Sequence, residues 1–90
     1  MYLEIISPEA ILYQGEVKSI SFPGSYGDFQ VLDNHAPIVS TLKKGKVKIQ
    51  GKMSINKEVK KYFNVSDKET FLDINSGTVE MSNNNVTLLI

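Results

Sequence analysis

His35 is the one histidine of this 90-residue chain, and Asp33 and Asp28 lie close to it in sequence. An imidazole beside two carboxylates could do acid–base work or hold a metal. The spacing argues against both. No second histidine follows at ligand spacing, and a lone imidazole makes a poor metal site. Nucleophilic hydrolysis by serine, histidine and aspartate is often marked by a G-x-S-x-G elbow, and none occurs. His35 reads better as a loop residue that hydrogen-bonds backbone beside Ala36-Pro37. Gly24-Ser25-Tyr26-Gly27 has the glycines of a phosphate cradle. It lacks the lysine and hydroxyl residue that end a P-loop, and no helical pattern follows it. It reads as a tight turn between two strands. Lys43, Lys44, Lys46 and Lys48 form the one basic run. With Tyr26 and Phe29 they raise the idea of an oligonucleotide-binding barrel, which needs a basic groove with interleaved aromatics. Lysines alternating along a strand more simply make its solvated face and deter edge pairing. Glu9, Glu16 and Glu80 have no spacing that pairs them and read as surface carboxylates. No catalytic residue, metal ligand or cofactor-binding residue is expected.

Composition narrows the class further. Ten basic and ten acidic residues cancel at pH 7. A neutral chain has no electrostatic reason to favour nucleic acid or an anionic membrane. All ten positive residues are lysine, so no bidentate guanidinium clamp for phosphate or carboxylate is present. There is no cysteine, hence no disulfide and no thiolate chemistry. No run approaches the length of a membrane-spanning helix, and no signal peptide is evident. Any membrane association is expected to go through a protein partner. Ninety residues at 41% hydrophobic content make one small domain, residues 1–90, with a single core.

The elements that must position these residues are strands. Val47 and Ile49 alternate with Lys46, Lys48 and Gln50, and Leu72 and Ile74 with Phe71 and Asp73. Val79 and Met81 alternate with Thr78, Glu80 and Ser82, and Val86, Leu88 and Ile90 with Thr87 and Leu89. A period of two marks strands with one face buried. Turn residues separate them at Pro23-Gly24, Asp33-Asn34, Lys43-Lys44-Gly45, Asn56-Lys57, Ser76-Gly77 and Asn83-Asn84-Asn85. Many short strands at this spacing predict an all-β fold, a small antiparallel β-sandwich of two sheets. Val17 is out of phase with Ile20 and Phe22, which predicts a β-bulge near Lys18-Ser19. Lys52 to Asp67 is the least regular stretch and reads as an exposed hairpin or loop excursion. Within it, Glu58 to Phe63 fits a short helix or a strand equally well.

The order and spacing of several motifs together resemble a known family. Leu3-Glu4-Ile5-Ile6-Ser7-Pro8-Glu9 and Leu12-Tyr13-Gln14-Gly15-Glu16-Val17 open the pattern. Pro23-Gly24-Ser25-Tyr26-Gly27-Asp28-Phe29, Val31-Leu32 and His35-Ala36-Pro37 continue it. Gly45-Lys46-Val47-Lys48-Ile49, Ser76-Gly77-Thr78-Val79-Glu80-Met81 and Asn84-Asn85-Val86-Thr87-Leu88-Leu89 complete it. Over essentially its whole length the chain resembles the N-terminal β-sandwich domain of the epsilon subunit of F-type ATP synthase. The resemblance implies a non-catalytic central-stalk subunit of the rotor. Such a subunit links the gamma subunit to the membrane c-ring in proton-driven ATP synthesis. For a bacterial member it implies a peripheral position at the cytoplasmic face of the inner membrane. It implies c-ring interface roles for Asp28, after the glycine turn, and for His35, of the His-Ala-Pro motif. Full-length members carry two further helices that inhibit hydrolysis or bind ATP, and no nucleotide binding is expected of these ninety residues. Ending at Ile90 is expected to reflect either truncation or a naturally short member. Three departures stand out: Gln30 where many members have glycine, Ser76-Gly77 where many have a glycine pair, and the stretch from Lys52 to Asp67. The first two are tolerated if the backbone there has negative φ. The alternative from another class is a free-standing β-sandwich binding module for a small ligand or peptide, which predicts a concave pocket.

Overall fold

The computed structural model describes residues 1–90, and its period-two segments form ten strands. These are β1 (Tyr2–Ile6), β2 (Ile11–Glu16), β3 (Ser19–Phe22), β4 (Phe29–Leu32), β5 (Ile38–Leu42), β6 (Gly45–Gln50), β7 (Phe63–Ser66), β8 (Glu69–Ile74), β9 (Gly77–Ser82) and β10 (Asn85–Leu89). They make two five-stranded sheets, ordered β2-β1-β10-β9-β5 and β4-β3-β6-β8-β7. The inward residues of the alternating segments meet between the sheets: Leu3 and Ile5, Val47 and Ile49, Val79 and Met81, Val86 and Leu88 are all buried. Each such side chain contributes about 1.5–3 kcal/mol by leaving water. The two-sheet sandwich expected from the pattern is therefore what forms.

One pairing departs from an all-antiparallel arrangement. β1 runs parallel to β10, with Leu3 opposite Val86 and Ile5 opposite Leu88. Parallel neighbours need a long crossover between them. Here the whole of the intervening domain serves as that crossover, because the two strands lie near the chain's ends.

The bulge predicted near Lys18-Ser19 is not there. Val17 and Lys18 lie between strands, where the chain leaves β2 in one sheet for β3 in the other. That crossing resets the phase, and Val17, Ile20 and Phe22 all become buried. The register irregularity sits instead in β2, where Ile5 faces Tyr13 but Ile6 faces Ile11. Leu12 is the extra residue, so the adjacent Leu12 and Tyr13 both turn inward.

The stretch from Lys52 to Asp67 resolves into three parts. Residues 52–56 have no ladder partner, yet Met53 and Ile55 pack against the core, as does Val59. Lys60–Tyr62 is a single 3-10 turn with no buried residue. Phe63 then begins β7, which pairs with β8 as a hairpin. Glu58 to Phe63 is thus neither a helix nor a strand throughout. Asn34, Asp67, Asn83 and Asn84 take positive φ, at 62°, 41°, 52° and 61°. The consecutive pair Asn83-Asn84 gives the tight β9–β10 hairpin the left-handed conformations it needs. Gln30 and Ser76 are not among the positive-φ residues, so both departures from the family pattern are tolerated.

Gly24 is held by close approach. A Cβ built there would run into the Gly27 carbonyl oxygen and lie 2.8 Å from the Phe29 ring. Gly24→Ala is expected to destabilise the domain by about 1–3 kcal/mol through overpacking. A urea titration that shows no loss would contradict this packing.

Candidate functional site

The sandwich has two ends. One carries the β3–β4 turn, residues 23–28, with Lys43-Lys44 and Asn75-Ser76. The other carries Met1, Val17-Lys18, residues 33–37, Gly51, Asp67-Lys68 and Asn83-Asn84.

The β3–β4 turn is fastened to the opposite sheet. Ser25 N–H donates to the Thr41 carbonyl at 3.0 Å and Lys43 N–H to the Pro23 carbonyl at 2.9 Å. Thr41 Oγ1 donates to Ser25 Oγ at 2.8 Å, and Gly24 forms a bridge with Leu42. Gly27, at φ 132°, closes the turn by donating to the Gly24 carbonyl at 3.1 Å. None of these bonds uses Tyr26 or the Asp28 carboxylate. Tyr26 stands fully exposed at the tip, at 103% of its reference area. Asp28 is exposed and belongs to no ion pair. The result is a rigid loop presenting a free ring and a free carboxylate.

His35 lies at the other end. Its backbone N–H donates to the Leu32 carbonyl at 3.1 Å, and its Nδ1 lies 2.7 Å from the Ala36 carbonyl. A carbonyl only accepts, so in this bond Nδ1 carries the proton. This is the backbone-bonding loop role read from the sequence. All four residues of β4 separate Asp28 from the loop that holds His35, a span of about 13 Å. The structure therefore does not bring Asp28 and His35 together. A single contact includes both only if it runs along β4, an edge strand.

Asp33 is not available to His35. Its Oδ1 accepts from the Met1 ammonium at 2.7 Å and from Asn84 Nδ2 at 3.0 Å. Asn34 N–H donates to Asn84 Oδ1 at 2.8 Å, so the β4–β5 loop is tied to the β9–β10 turn. The bond to the ammonium, then that to Asn84, holds the Asp33 carboxyl below the usual carboxylate range. The same bond to Asp33 raises the Met1 amine above its ordinary value, against the lowering effect of burial. Glu69 is held low by Gln50 first and Lys48 second. The signs differ. The carboxylates' contribution is complete above 3.8 for Asp33 and 4.5 for Glu69, and is lost as pH falls through their depressed folded values. The amine's contribution is complete below 8.0 and is lost as pH rises through its raised value. Stability is expected to be level between these limits and to fall on both sides. Asp33→Asn should flatten the alkaline fall. An unchanged alkaline arm in urea titrations of that variant would contradict the assignment.

The two outer faces differ in character. On the β4-β3-β6-β8-β7 sheet Lys46 pairs with Asp73 at 3.0 Å and Lys48 with Glu69 at 3.3 Å. Gln50 Nε2 donates to Glu69 at 3.1 Å. Lys46 and Lys48 are thus the solvated face read from their alternation, and such exposed pairs contribute at most about 1 kcal/mol each. The other sheet presents an apolar row. Ile6 lies opposite Ile11 on one side and Leu89 on the other, and all three point outward. Ile11 and Leu89 remain 53% and 47% exposed. Thr78 and Thr41 continue the row across β9 and β5. Neither this row nor the exposure of Tyr26 was legible in the sequence. The only trace of the row was that Ile6, Ile11 and Leu89 fall outside the buried phase of their strands.

These features define a small β-sandwich with a short apolar row on one outer face, ion-paired lysines on the other, and a hydrogen-bonded loop at one end. Residues 1–90 match the family described as "ATP synthase, Delta/Epsilon chain, beta-sandwich domain", and the chain belongs to that family. It is 38% identical over 89 residues to the ATP synthase epsilon chain of a Nitratiruptor species, covering 98% of this chain and 58% of that one. It is 39% identical over 87 residues to the ATP synthase epsilon chain of Leptospira interrogans serovar copenhageni, with 97% and 58% covered. A shorter match, 50% over 56 residues, joins it to the epsilon chain of Campylobacter jejuni (strain 81-176), covering 62% and 43%. The chain spans 58% of the length of its near-full-coverage relatives. The same fold occurs in a chain of the Tetrahymena thermophila mitochondrial ATP synthase central stalk and c-ring structure, at TM-score 0.72 and 12% identity. That match covers 99% of this chain and 61% of the other.

Proposed function

We propose that this domain is a non-catalytic part of the rotor of an F-type ATP synthase. It holds the gamma subunit and the membrane c-ring in fixed register while the ring turns, at the cytoplasmic face of the membrane in a bacterial host. The observation that carries the proposal is the family match over residues 1–90. The asymmetry of the surfaces supports a division of labour. The apolar row of Ile6, Ile11 and Leu89 suits a permanent partner, for which gamma is the candidate. The fastened turn bearing Asp28 suits the polar loops of the ring, where a charge gives orientation more readily than affinity. His35 joins the ring contact if that contact extends along β4. The family match favours the stalk reading over the small-ligand or peptide module, and the concavity lined by Lys18, Gln50, Gly51, Lys52, Asp67 and Lys68 lacks the apolar wall typical of a pocket for an organic ligand.

The absence of native cysteine makes the test clean. A single cysteine introduced by Asp28→Cys, carrying a short photo-crosslinker, should join the domain to a ring subunit in membranes from the same source. Lys46→Cys, on the charged outer face, should not. Equal crosslinking from both positions, or none from Asp28→Cys, would contradict the assigned orientation.

A further inference from the structure

At the end of the sandwich away from Asp28 lies an open concavity of about 470 Å³, lined by Lys18, Gln50, Gly51, Lys52, Asp67 and Lys68. Three structural segments meet there: the β2–β3 crossing, the end of β6, and the β7–β8 turn. Lys18 N–H donates to the Gln50 carbonyl at 2.8 Å, which fixes the first two segments together. The Gln50 side chain is itself held by Ser19 Oγ and Glu69, so the floor is set. None of Lys18, Lys52 and Lys68 takes part in an ion pair. Glu69, next to Lys68 in the chain, is already engaged by Lys48 and Gln50. Asp67 is the one acid among the lining residues, leaving a local charge of three minus one in a chain that is neutral as a whole.

We propose that this concavity binds a phosphate-bearing anion of two or more negative charges, a diphosphate or a clustered phosphate ester. Three lysines from separate segments line the concavity, and their ammonium groups act as point charges on phosphate oxygens, the role lysine plays where no arginine is available. No hydrophobic or aromatic residue lines the site, so it engages the phosphates and provides no wall for a nucleobase. Because the lysines are exposed, the interaction weakens with added salt. Nothing in the site depends on the rotor assignment.

The experiment is a titration of the 90-residue chain with inorganic pyrophosphate at low salt, followed by backbone amide shifts. Saturable shifts are expected at Lys18, Gly51, Lys52 and Lys68. The Lys43-Lys44 turn, basic but outside this concavity, serves as the internal control. Lys18→Gln with Lys68→Gln should weaken binding at least tenfold. Asp67→Asn should tighten it severalfold, and asparagine tolerates the positive φ of that position, so the gain does not depend on a folding-sensitive change. A parallel sedimentation with vesicles of anionic phospholipid separates the sources. Vesicle binding lost in the double lysine variant assigns a lipid headgroup, and pyrophosphate binding without it assigns a soluble anion. Shifts of equal size at Lys43-Lys44, or affinities unchanged in both variants, would overturn the proposal, as would no binding of either probe.

Discussion

Phe22→Ala is expected to cost about 3–5 kcal/mol and leave the domain close to unfolded. Phe22 is 1% exposed, at the end of the four-residue β3, and its ring lies 5.4 Å from that of Phe29 at 32°. Truncation removes the buried ring and leaves a cavity that a short strand has little freedom to close. It also removes an aromatic pair worth about 0.5–1.5 kcal/mol. A ninety-residue domain holds about 5–13 kcal/mol in all. Phe29 carries the strand that leads out of the Asp28 turn, so the loss reaches the candidate surface as well as the core. Urea unfolding should show a much lower midpoint with a similar slope. Phe22→Leu should cost clearly less. A loss under 1 kcal/mol for Phe22→Ala would mean that the core does not pivot on this ring.

The second large effect is on attachment. Tyr26→Ala and Asp28→Ala are both expected to leave stability within about 0.5 kcal/mol, because neither side chain contributes to the bonds that fasten the turn. Binding to the rotor should fall nonetheless. An aromatic anchor on a rigid tip is the kind of residue whose truncation costs about 2 kcal/mol or more. Such a loss is roughly thirtyfold in affinity. Loss of the unpaired Asp28 carboxylate should cost about tenfold and make the remaining binding less sensitive to salt. His35→Ala should weaken attachment less, since its Nδ1 is turned back to the Ala36 carbonyl. Pull-down of ring-containing membranes at several salt concentrations reads all three. Wild-type retention by the Tyr26 and Asp28 variants would remove this loop from the contact.

How far the sequence reaches depends on how local the determining physics is. β6, β8, β9 and β10 are legible because their inward residues alternate without a break and end in turn residues. β2 is not, because its bulge places Leu12 and Tyr13 inward in succession and cancels the period. The β1–β10 pairing joins segments about eighty residues apart, and no short-range pattern encodes a partner that distant. Residues 52–56 alternate half-buried and exposed like a strand, yet they find no ladder partner. Periodicity reports a buried face and is silent about hydrogen bonding. The candidate site was legible only through the family resemblance. Seven positions separate Asp28 from His35, but only the fold reveals that a whole strand lies between them. Composition likewise could not separate Tyr26, which is fully exposed, from Phe29, which packs on the core.

If this sandwich is a stalk component, it binds the gamma subunit from the same source, and calorimetric titration of the one with the other measures that binding. A one-to-one complex is expected, and it should be lost when Ile11 and Leu89 are replaced by serine, with the fold retained by circular dichroism. A folded chain that releases no heat with gamma and does not co-elute with it would contradict the stalk assignment.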